Sequence, residues 1–329
     1  MDDILVPGNI NVPYEEREGG ESLVYFTRDL SANGLKKVYK KIKHVMQGKI
    51  AVKLHTGEKN GPNIIPHEWV KDFFAAEIPN PTIVETNTYY EGDRDTTEKH
   101  RETIKVNGWN FCPVDIMDEE GAINLPVPNG KWFSTMSMGS HITNYDSMLV
   151  LTHFKGHTMG GFGGSNKNIG IGNADGKFGK AMIHTKPGDP NQWSIAQEEF
   201  MERITESSAA TLAYFGKNIG YINVMRNMSV DCDCAGLEAE KVVTPNVGIL
   251  ASLDILAIDQ ACVDIVFAMK EEENHALVER MASRHGFRQL TYMKKMGMGN
   301  DRYVLIDLDN EEKHITPADC VIDLKPFEY

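Results

Sequence analysis

The sequence contains no run of roughly 18 apolar residues, the length that a membrane-spanning helix requires. Its first twenty residues, MDDILVPGNINVPYEEREGG, include neither a basic segment nor an apolar one, so we expect no signal peptide. The five cysteines are odd in number and unevenly spaced, which does not indicate a disulfide framework. These features predict a cytoplasmic protein that does not bind membranes.

Positive charge is also scarce, because 34 Lys and Arg stand against 47 Asp and Glu, for a formal net charge of -13. Such a charge repels nucleic acid at long range, so we expect no nucleic-acid partner. A lysine-rich stretch at 34–46 has Val38, Ile42 and Val45 at helical spacing and is typical of a solvated helix face. Ser31 is the expected N-cap of this helix.

The sequence does contain an alternation of strand and helix patterns along its 329 residues. Repeated strand–helix–strand units predict an α/β fold, with a mainly parallel doubly wound sheet and helices on both faces. We expect an N-terminal extension at 1–20, an α/β half with a Gly-rich loop at 21–190 and a second α/β half at 191–329. Strands are predicted at 22–28, 49–55, 81–88, 147–153 and 220–226, helices at 67–78, 96–108 and 192–216, and a strand followed by a helix within 246–270.

Three predicted strand ends carry polar side chains, and ligands of such sheets bind beyond the carboxyl ends of the strands. The first end has His55 and Glu58, and the second has Thr86 and Asn87. The third and strongest is the segment LTHFKGHTMGGFGGSNKNIGIG at 151–172. We therefore expect the binding site where these three segments meet.

Glycines in the 151–172 segment allow positive φ and expose N–H groups to an anion, and they argue against a regular helix. The histidines and lysines of the segment offer metal ligands, an anion clamp and a nucleophilic amine. His153 and His157 are four residues apart, as a metal-binding pair on one face would be. The candidate residues of this segment are His153, Lys155, His157, Gly160, Gly161, Gly163, Gly164, Lys167 and Asn168.

Two well-known phosphate loops do not fit this segment. Between Gly172 and Gly176-Lys177 there are three residues, whereas a Walker A loop has four, and Phe178 follows the lysine. The Gly161-Phe162-Gly163 run also lacks the third glycine of the dinucleotide-binding pattern. An ATPase or an NAD-dependent dehydrogenase is therefore disfavoured.

The segment SVDCDCAG places Cys232 and Cys234 on one face of an extended chain, where they offer two metal ligands or are inert thiols. A metal–sulfur redox protein of the iron–sulfur type is thus one alternative function, and a small-molecule binding module without catalysis is another. Asp254 and Asp259 are expected to cap the helix that follows them.

Several of these segments together resemble the bacterial domain-of-unknown-function family 362. Many members of that family carry a ferredoxin-like insert with two Cys-x-x-Cys-x-x-Cys runs after the position of His184, and this chain has no such insert. The resemblance rests, in chain order, on KLHTGE (53–58), ETNTYY (85–90), the 151–172 segment, DCDC (231–234) and GILASLDILAIDQA (248–261).

The loop His157-x-x-x-Gly161-Phe162-Gly163-Gly164-x-x-Lys167 is similar to a loop of the nickel-pincer lactate racemase family. The resemblance implies that His157 is the acid/base and that Lys167 attaches a pyridinium pincer nucleotide covalently. It also implies that His184 is a nickel ligand. The Asp-Gly-x-Gly-Arg element of that family does not occur in this sequence.

We therefore expect an enzyme that binds an anionic small molecule or a nucleotide-like cofactor at the Gly-rich loop, with racemase-like or redox chemistry. The cofactor is not specified by the sequence, but a metal (Ni, Fe or Zn) or a pincer-type nucleotide suits the residues. The predicted roles are catalysis for His157, Lys167 and His153, ligand binding for Lys155, Gly160, Gly161, Gly163, Gly164, Asn168, His55, Glu58, Thr86 and Asn87, and metal binding for His184, Cys232 and Cys234.

Overall fold

The protein is described by a computed structural model that covers residues 14–327, so residues 1–13 of the predicted extension at 1–20 lie outside the described part. The strands are β1 (Glu21–Thr27), β2 (Ile50–Lys53), β3 (Thr82–Glu85), β4 (Val114–Ile116), β5 (Ala122–Pro126), β6 (Thr135–Gly139), β7 (Ser147–His153), β8 (Lys155–His157), β9 (Gly161–Gly163), β10 (Ile219–Met225), β11 (Gly248–Ser252), β12 (Arg302–Asp307) and β13 (Lys313–Ile315). The helices are α1 (Ala32–Ile42), α2 (His67–Glu77), α3 (Thr97–Val106), α4 (Ser165–Gly172), α5 (Gly179–His184), α6 (Gln197–Phe215), α7 (Ile255–Ala268), α8 (Glu271–Ser283), α9 (Arg288–Lys295) and α10 (Pro317–Cys320).

A nine-stranded sheet in the order β13-β12-β1-β11-β10-β7-β2-β3-β4 forms the centre of the fold. The pairs β10–β7, β7–β2, β2–β3, β3–β4 and β1–β12 are parallel. Strand β11 runs antiparallel to both of its neighbours, and β13 runs antiparallel to β12. The predicted mainly parallel α/β sheet is therefore confirmed. The sheet takes strands from both sides of residue 190, and the division at that residue stays a prediction.

The two faces of the sheet pack against separate apolar cores. Successive residues of β7 alternate between them, because Met148 and Val150 belong to one core whereas Leu149 and Leu151 belong to the other. Helices α1, α2 and α3 supply side chains to the second core, and α4, α6 and α7 supply side chains to the first. Helices thus cover both faces, as predicted. Within residues 14–327, no helix combines the length and apolar character needed to cross a membrane.

Helix α1 follows its sequence prediction closely. The Ser31 side chain accepts a hydrogen bond from the Asn33 N–H at 3.1 Å and caps the helix. Val38 and Ile42 are fully buried on its inner face. On the outer face, Lys37 pairs with Asp309 at 2.6 Å, so this lysine-rich face is solvated and paired with carboxylates of the same chain.

Helix α4 differs from the sequence prediction, because the chain becomes helical directly after Gly164 although the helix contains two glycines. Tertiary packing against α6 compensates for this poor helix propensity. A Cβ at Gly170 would lie 2.5 Å from the carbonyl oxygen of Ile204, so only glycine permits this approach. The close contact between α4 and α6 therefore explains why a glycine stands at position 170 inside a helix, although the glycines of this segment argue against a helix in the sequence.

The caps of α4 and α7 also correct one expectation. Asp254 caps α7 by accepting from the Ala257 N–H at 3.0 Å, as predicted. The prediction for Asp259 was wrong, since its carboxylate caps α4, accepting from the N–H groups of Ser165 at 2.7 Å and Asn166 at 2.9 Å. Asp259 is fully buried inside α7, where its side chain can reach across to the neighbouring helix.

Candidate functional site

A cavity of about 320 Å³ opens at the carboxyl ends of β2, β3 and β7, beside the β8–β9 hairpin, α4 and the loop at 226–247. This is the edge of the sheet where the sequence predicts binding. The predicted site residues that line it are His55, Thr86, His153, Lys155, His157, Gly163, Gly164, Lys167, Asn168, His184, Cys232 and Cys234. Glu58, Asn87, Gly160 and Gly161 are not among the lining residues.

These four residues support the cavity wall. Glu58 accepts hydrogen bonds from Arg94 at 2.7 Å and from Tyr90 at 2.6 Å, and the Asn87 carbonyl accepts one from Lys180. Gly161 has a φ of +73°, and a Cβ there would lie 2.8 Å from the Gly286 Cα. Gly160 donates its N–H to His157 at 2.7 Å. Their predicted contact with a ligand stays a prediction.

Five cationic side chains line the cavity, whereas Glu85 is the one carboxylate in the lining. Of these five, the sequence analysis identified Lys155 and Lys167 but missed Lys53, Arg94 and Lys180. Lys53 left a signal, because a lysine inside the apolar strand Ile50–Lys53 needs a buried partner or ligand. Arg94 and Lys180 lie outside the strands, and no comparable pattern around them indicates burial.

Four of the five cations have partners within the protein. Lys53 pairs with Glu85 at 2.9 Å, Arg94 with Glu58 at 2.7 Å and Lys155 with Asp233 at 3.0 Å. Lys180 donates to the Thr86 hydroxyl at 2.7 Å. Burial lowers the pKa of Lys180 to about 8, although Asp118 and Glu85 oppose this shift.

Lys167 is the exception, since no hydrogen bond or ion pair holds its ammonium group in the described part of the chain. Burial would lower the pKa of Lys167, but the negative charge of Cys234, Cys232 and Asp233 raises it above the ordinary value. Lys167 therefore presents a positive charge to the cavity.

Lys53 and Glu85 form a buried ion pair beneath the cavity. The Lys53 ammonium also donates to the Leu54 carbonyl at 3.0 Å and to the Asn168 Oδ1 at 3.1 Å. Burial alone would raise the pKa of Glu85, but Lys53 and His55 outweigh burial and hold that pKa well below its usual value. The pair is thus ionised, and it links β2, β3 and α4 at the cavity floor.

His153 is held at both ring nitrogens. Its Nδ1 lies 2.9 Å from the Asp233 carboxylate, and its Nε2 lies 2.6 Å from the Arg226 carbonyl. Both partners are acceptors, so an imidazolium with two N–H groups satisfies both of them. Burial would raise the pKa of Asp233, but His153 and Lys155 hold it well below its usual value. His153 therefore anchors the loop that carries Asp233 to β7.

His157 and His184 present opposite hydrogen-bonding groups at the same cavity. The Nδ1 of His157 accepts from the N–H groups of Gly160 at 2.7 Å and Met159 at 3.2 Å, which places the proton on Nε2. The Nδ1 of His184 donates to the Lys180 carbonyl at 2.7 Å, which leaves Nε2 with its lone pair. His157 is thus a donor and His184 an acceptor.

Burial keeps both rings neutral. It lowers the pKa of His184 to about 4, and burial together with Lys167 lowers the pKa of His157 well below its usual value. Aromatic rings surround His184, with Tyr89 stacked at 5.9 Å and Trp193 edge-on at 5.1 Å between ring centroids. The imidazole of His184 is therefore fixed in orientation and in charge.

Cys234 lies on a short 3-10 segment of the loop at 226–247, and Cys232 caps the start of that segment. The Cys232 sulfur accepts the Cys234 N–H at 3.1 Å, and the Cys234 sulfur lies 3.6 Å from the Nε2 of His55. A hydrogen bond from the Cys232 thiol lowers the pKa of Cys234 well below its usual value, and Lys167 and His55 lower it further. The same hydrogen bond raises the pKa of Cys232.

A metal site built from Cys232, Cys234 and His184 stays a prediction. Within residues 14–327, the set of three donor atoms close enough to share one metal is Asp115, Glu119 and His141, at the end of β4. Those groups already have partners, because His141 contacts Asp115 at 2.8 Å and Arg101 contacts Glu119 at 2.6 Å.

The amide groups at the start of α4 donate to Asp259, so an anion in the cavity would contact lysine side chains rather than these amides. Two neighbouring glycines beside this cap, Gly163 and Gly164, provide a matched pair of positions for substitution. A Cβ at Gly164 would lie 2.5 Å from the Asp259 Cγ, whereas a Cβ at Gly163 would lie 3.7 Å from Lys155 and Lys167.

We expect Gly164→Ala to lower the free energy of unfolding by about 1–3 kcal/mol, since the cap must move. Gly163→Ala should change it by less than about 0.5 kcal/mol, because its methyl group meets only ordinary contacts. Urea denaturation of both variants measures the difference. Equal stabilities would show that the Asp259 cap does not constrain this turn.

A protein-family model matches the part of the chain that forms this cavity. The model of a domain of unknown function, DUF362, matches residues 50–264. The chain belongs to the DUF362 family. The matched segment contains every residue that lines the cavity, from Lys53 to Ala235. None of the curated proteins that were compared matches this DUF362 chain.

Two solved structures are similar to this DUF362 chain at low identity. The lactate racemase apoprotein from Thermoanaerobacterium thermosaccharolyticum is 12% identical, with a TM-score of 0.40, over 90% of this chain and 84% of that one. A Thermotoga maritima protein from a structural genomics programme is 8% identical, with a TM-score of 0.39, over 79% of this chain and 59% of that one. Neither likeness bears on the chemistry of the cavity.

Proposed function

We propose that this protein is an enzyme that binds a small anionic molecule in the strand-end cavity. The observation that carries the proposal is Lys167, whose ammonium group lines the cavity without a partner in the described residues. A buried ammonium group that makes no direct hydrogen bond or ion pair is costly unless a ligand contacts it. The other lining cations are each held by a partner within the protein, so Lys167 is the cation that is open to a ligand.

The charge of the cavity contrasts with that of the whole protein, whose formal net charge is -13. An anion is therefore attracted only locally, which favours a small ligand over a long polyanion. A carboxylate or phosphate group of a small molecule suits a lysine-lined cavity of about 320 Å³.

His157 and His184 support a reaction that moves a proton. The Nε2–H of His157 donates to an oxygen of the bound molecule, and the free Nε2 of His184 accepts a proton or ligates a metal. A donor and an acceptor at one anion site suit racemase-like or redox chemistry on a 2-hydroxy acid. The loop resemblance implies that His157 is the acid/base and that His184 is a nickel ligand. This proposal instead makes His184 the base, and it gives His157 the task of orienting and polarising the substrate.

The residues also suit the cofactor that the loop resemblance implies. Lys167 has an amino group that no residue in the described part of the chain holds by a hydrogen bond, and the Nε2 of His184 has no hydrogen-bond partner among residues 14–327. A pincer-type nucleotide with bound nickel would supply an electrophile that accepts hydride from the substrate. In a protein without this cofactor, Lys167 would bind the carboxylate of the ligand directly.

Replacement of Lys167 tests the proposal. We expect Lys167→Gln to weaken the binding of pyruvate, lactate or inorganic phosphate by about 10–100-fold, since a charged hydrogen bond contributes roughly 1.5–3 kcal/mol. The melting temperature should change little, because no internal partner is lost. Calorimetric titration measures the affinity, and Lys177→Gln is the control because Lys177 is exposed and follows α4 in the chain.

Equal affinities of the wild type and Lys167→Gln for these anions would refute the anion site. The anion site is also refuted if the wild type binds none of the three anions. If Lys177→Gln loses affinity as much as Lys167→Gln does, the loss reflects the net charge of the protein rather than a specific site.

A further inference from the structure

A chain of three side chains from three separate segments meets at the cavity. Cys234 lies on the 226–247 loop, His55 directly follows β2, and Glu85 ends β3. The Cys234 sulfur is 3.6 Å from the Nε2 of His55, and the Nδ1 of His55 is 3.5 Å from the Glu85 Oε1. All three line the cavity. A nucleophile, a base and a group that orients the base are the parts of a nucleophilic relay.

We propose that Cys234 is a nucleophilic cysteine whose proton is held by His55, that Glu85 positions His55, and that the relay acts on a small carbonyl compound that carries a carboxylate. The preference for a carboxylate rests on the proposed anion site, whereas the relay itself does not. The His55 Nδ1 also lies 3.5 Å from the Arg94 guanidinium, which can only donate, so Nδ1 accepts there and the ring carries its proton on Nε2. Glu85 and Arg94 thus hold the ring from its Nδ1 side, and the proton on Nε2 faces the Cys234 sulfur.

The surroundings hold Cys234 in place for this role. Arg280 binds the Val230 carbonyl and the Asp231 carboxylate, both at 2.8 Å, and fixes the loop before the cysteines. Gly236 has a φ of +55° and packs against Glu58, where a Cβ would lie 3.1 Å from the Glu58 Cβ. The Cys234 N–H is bound to the Cys232 sulfur at 3.1 Å. The loop thus fixes the sulfur against His55, and Lys167 lines the same cavity.

The proposed step is an addition that balances without a further reactant. The Cys234 sulfur forms a bond to the carbonyl carbon, and the electron pair of the C=O π bond moves to the oxygen. The proton held on the Nε2 of His55 passes to that oxygen and gives a thiohemiacetal. Lys167 binds the carboxylate of the substrate and holds the carbonyl carbon beside the sulfur.

Alkylation rates test the relay on the whole protein. The purified chain, with a chelator present, is treated at neutral pH with neutral iodoacetamide or with anionic iodoacetate, and peptide mass spectrometry follows each cysteine. Cys112 is the internal reference because it is partly exposed, and burial raises its pKa to about 11. We expect Cys234 to react at least about tenfold faster than Cys112 with either reagent.

Variants separate the relay from loss of structure. His55→Gln should slow alkylation of Cys234 about tenfold and leave Cys112 unchanged, whereas unfolding would speed up both cysteines. His275→Gln, at an exposed position on α8, is the control and should retain the rate. Lys167→Gln removes a positive charge that lowers the pKa of Cys234, so alkylation by both reagents should slow, and alkylation by iodoacetate should slow more because the anion site is lost. Equal slowing of both reagents would indicate that the anion site fails while the relay stands.

The substrate class is tested by protection. Glyoxylate, which has both a carbonyl and a carboxylate, should protect Cys234 from iodoacetamide more strongly than acetate or acetaldehyde at the same concentration. A Cys234 that reacts no faster than Cys112 in the wild type, or at the same rate in His55→Gln, would overturn the relay. Protection by acetate equal to that by glyoxylate would overturn the addition to a carbonyl.

Discussion

Acidification from about pH 7 to about pH 4.5 is expected to lower the free energy of unfolding by at least about 3 kcal/mol. Three buried histidines cause this loss. Burial lowers the pKa of His100 to about 3 and that of His184 to about 4. Burial and the charge of Lys167 lower the pKa of His157 well below its usual value. Each ring binds a proton when unfolded but not when folded, so stability is full above about pH 6.5 and is lost as the pH falls toward the folded pKa.

His100 and His184 each contribute a loss of about 2–3 kcal/mol at about pH 4.5, and His157 changes the stability in the same direction. Asp259 acts in the opposite direction, because burial raises its pKa to about 6 and its folded form binds a proton first. Its penalty appears as the pH rises through about 6, so acidification returns about 2 kcal/mol. The net change therefore remains a loss of stability in acid.

His100 allows the effect to be isolated. Its Nε2 is buried without a hydrogen-bond partner in the described residues, and its Nδ1 lies 3.3 Å from the Asn87 Oδ1. Urea denaturation of His100→Gln across this pH range should show a pH dependence smaller by about 2–3 kcal/mol. His275→Gln is the control, because His275 is exposed on α8. Identical pH profiles of His100→Gln and the wild type would contradict the assignment.

Lys53→Met is expected to lower the free energy of unfolding by about 3–5 kcal/mol, because the substitution leaves the Glu85 carboxylate buried without its main counter-charge. The site cannot adapt easily. A Cβ at Gly172 would lie 2.6 Å from the Lys53 Nζ, so the α4 backbone is pressed against this amine. In the variant, the Glu85 carboxylate still accepts a hydrogen bond from the Thr56 N–H at 2.8 Å. This remaining donor is the reason for the lower value, about 3 kcal/mol, of the expected loss.

A double variant distinguishes loss of the pair from loss of packing. Lys53→Met with Glu85→Gln removes both charges and retains an oxygen for the Thr56 N–H, so most of the lost stability should return. Lys105→Met, an exposed position on α3, is the control and should change stability by less than about 0.5 kcal/mol. If the double variant is as unstable as Lys53→Met, side-chain packing rather than the unpaired charge is responsible.

The sequence predicted the position of the site better than its internal geometry. His55, Thr86 and His153 could be placed at one edge because parallel strands end together there, and the structure brings all three to the cavity. The partner of His55 could not be predicted, since Cys234 lies far along the chain on a loop whose path depends on β11. A reversed strand has no sign in an apolar pattern such as GILAS.

The proton positions on the histidines were also beyond the sequence. Whether His157 donates or accepts depends on the Met159 and Gly160 N–H groups, which turn back onto its Nδ1 only in the folded hairpin. Helix α4 was missed for a related reason, because Gly170 packs against α6 and Gly172 packs against the Lys53 side chain only in the folded protein. Local propensity decides such a segment only when no neighbour overrides it.

The reversed strand β11 has a consequence for how this site can change. A parallel neighbour of β10 would require the chain to cross to the opposite edge of the sheet, whereas β10 and the antiparallel β11 are joined at the cavity edge by residues 226–247. Both ends of this loop are fixed by strand pairing, and Asp233 ties its middle to His153 and Lys155. The loop can therefore change in length between Cys234 and β11 while the sheet and the Asp233 contacts stay the same. Insertion or deletion there would reshape the cavity wall beside the cysteines without refolding the rest.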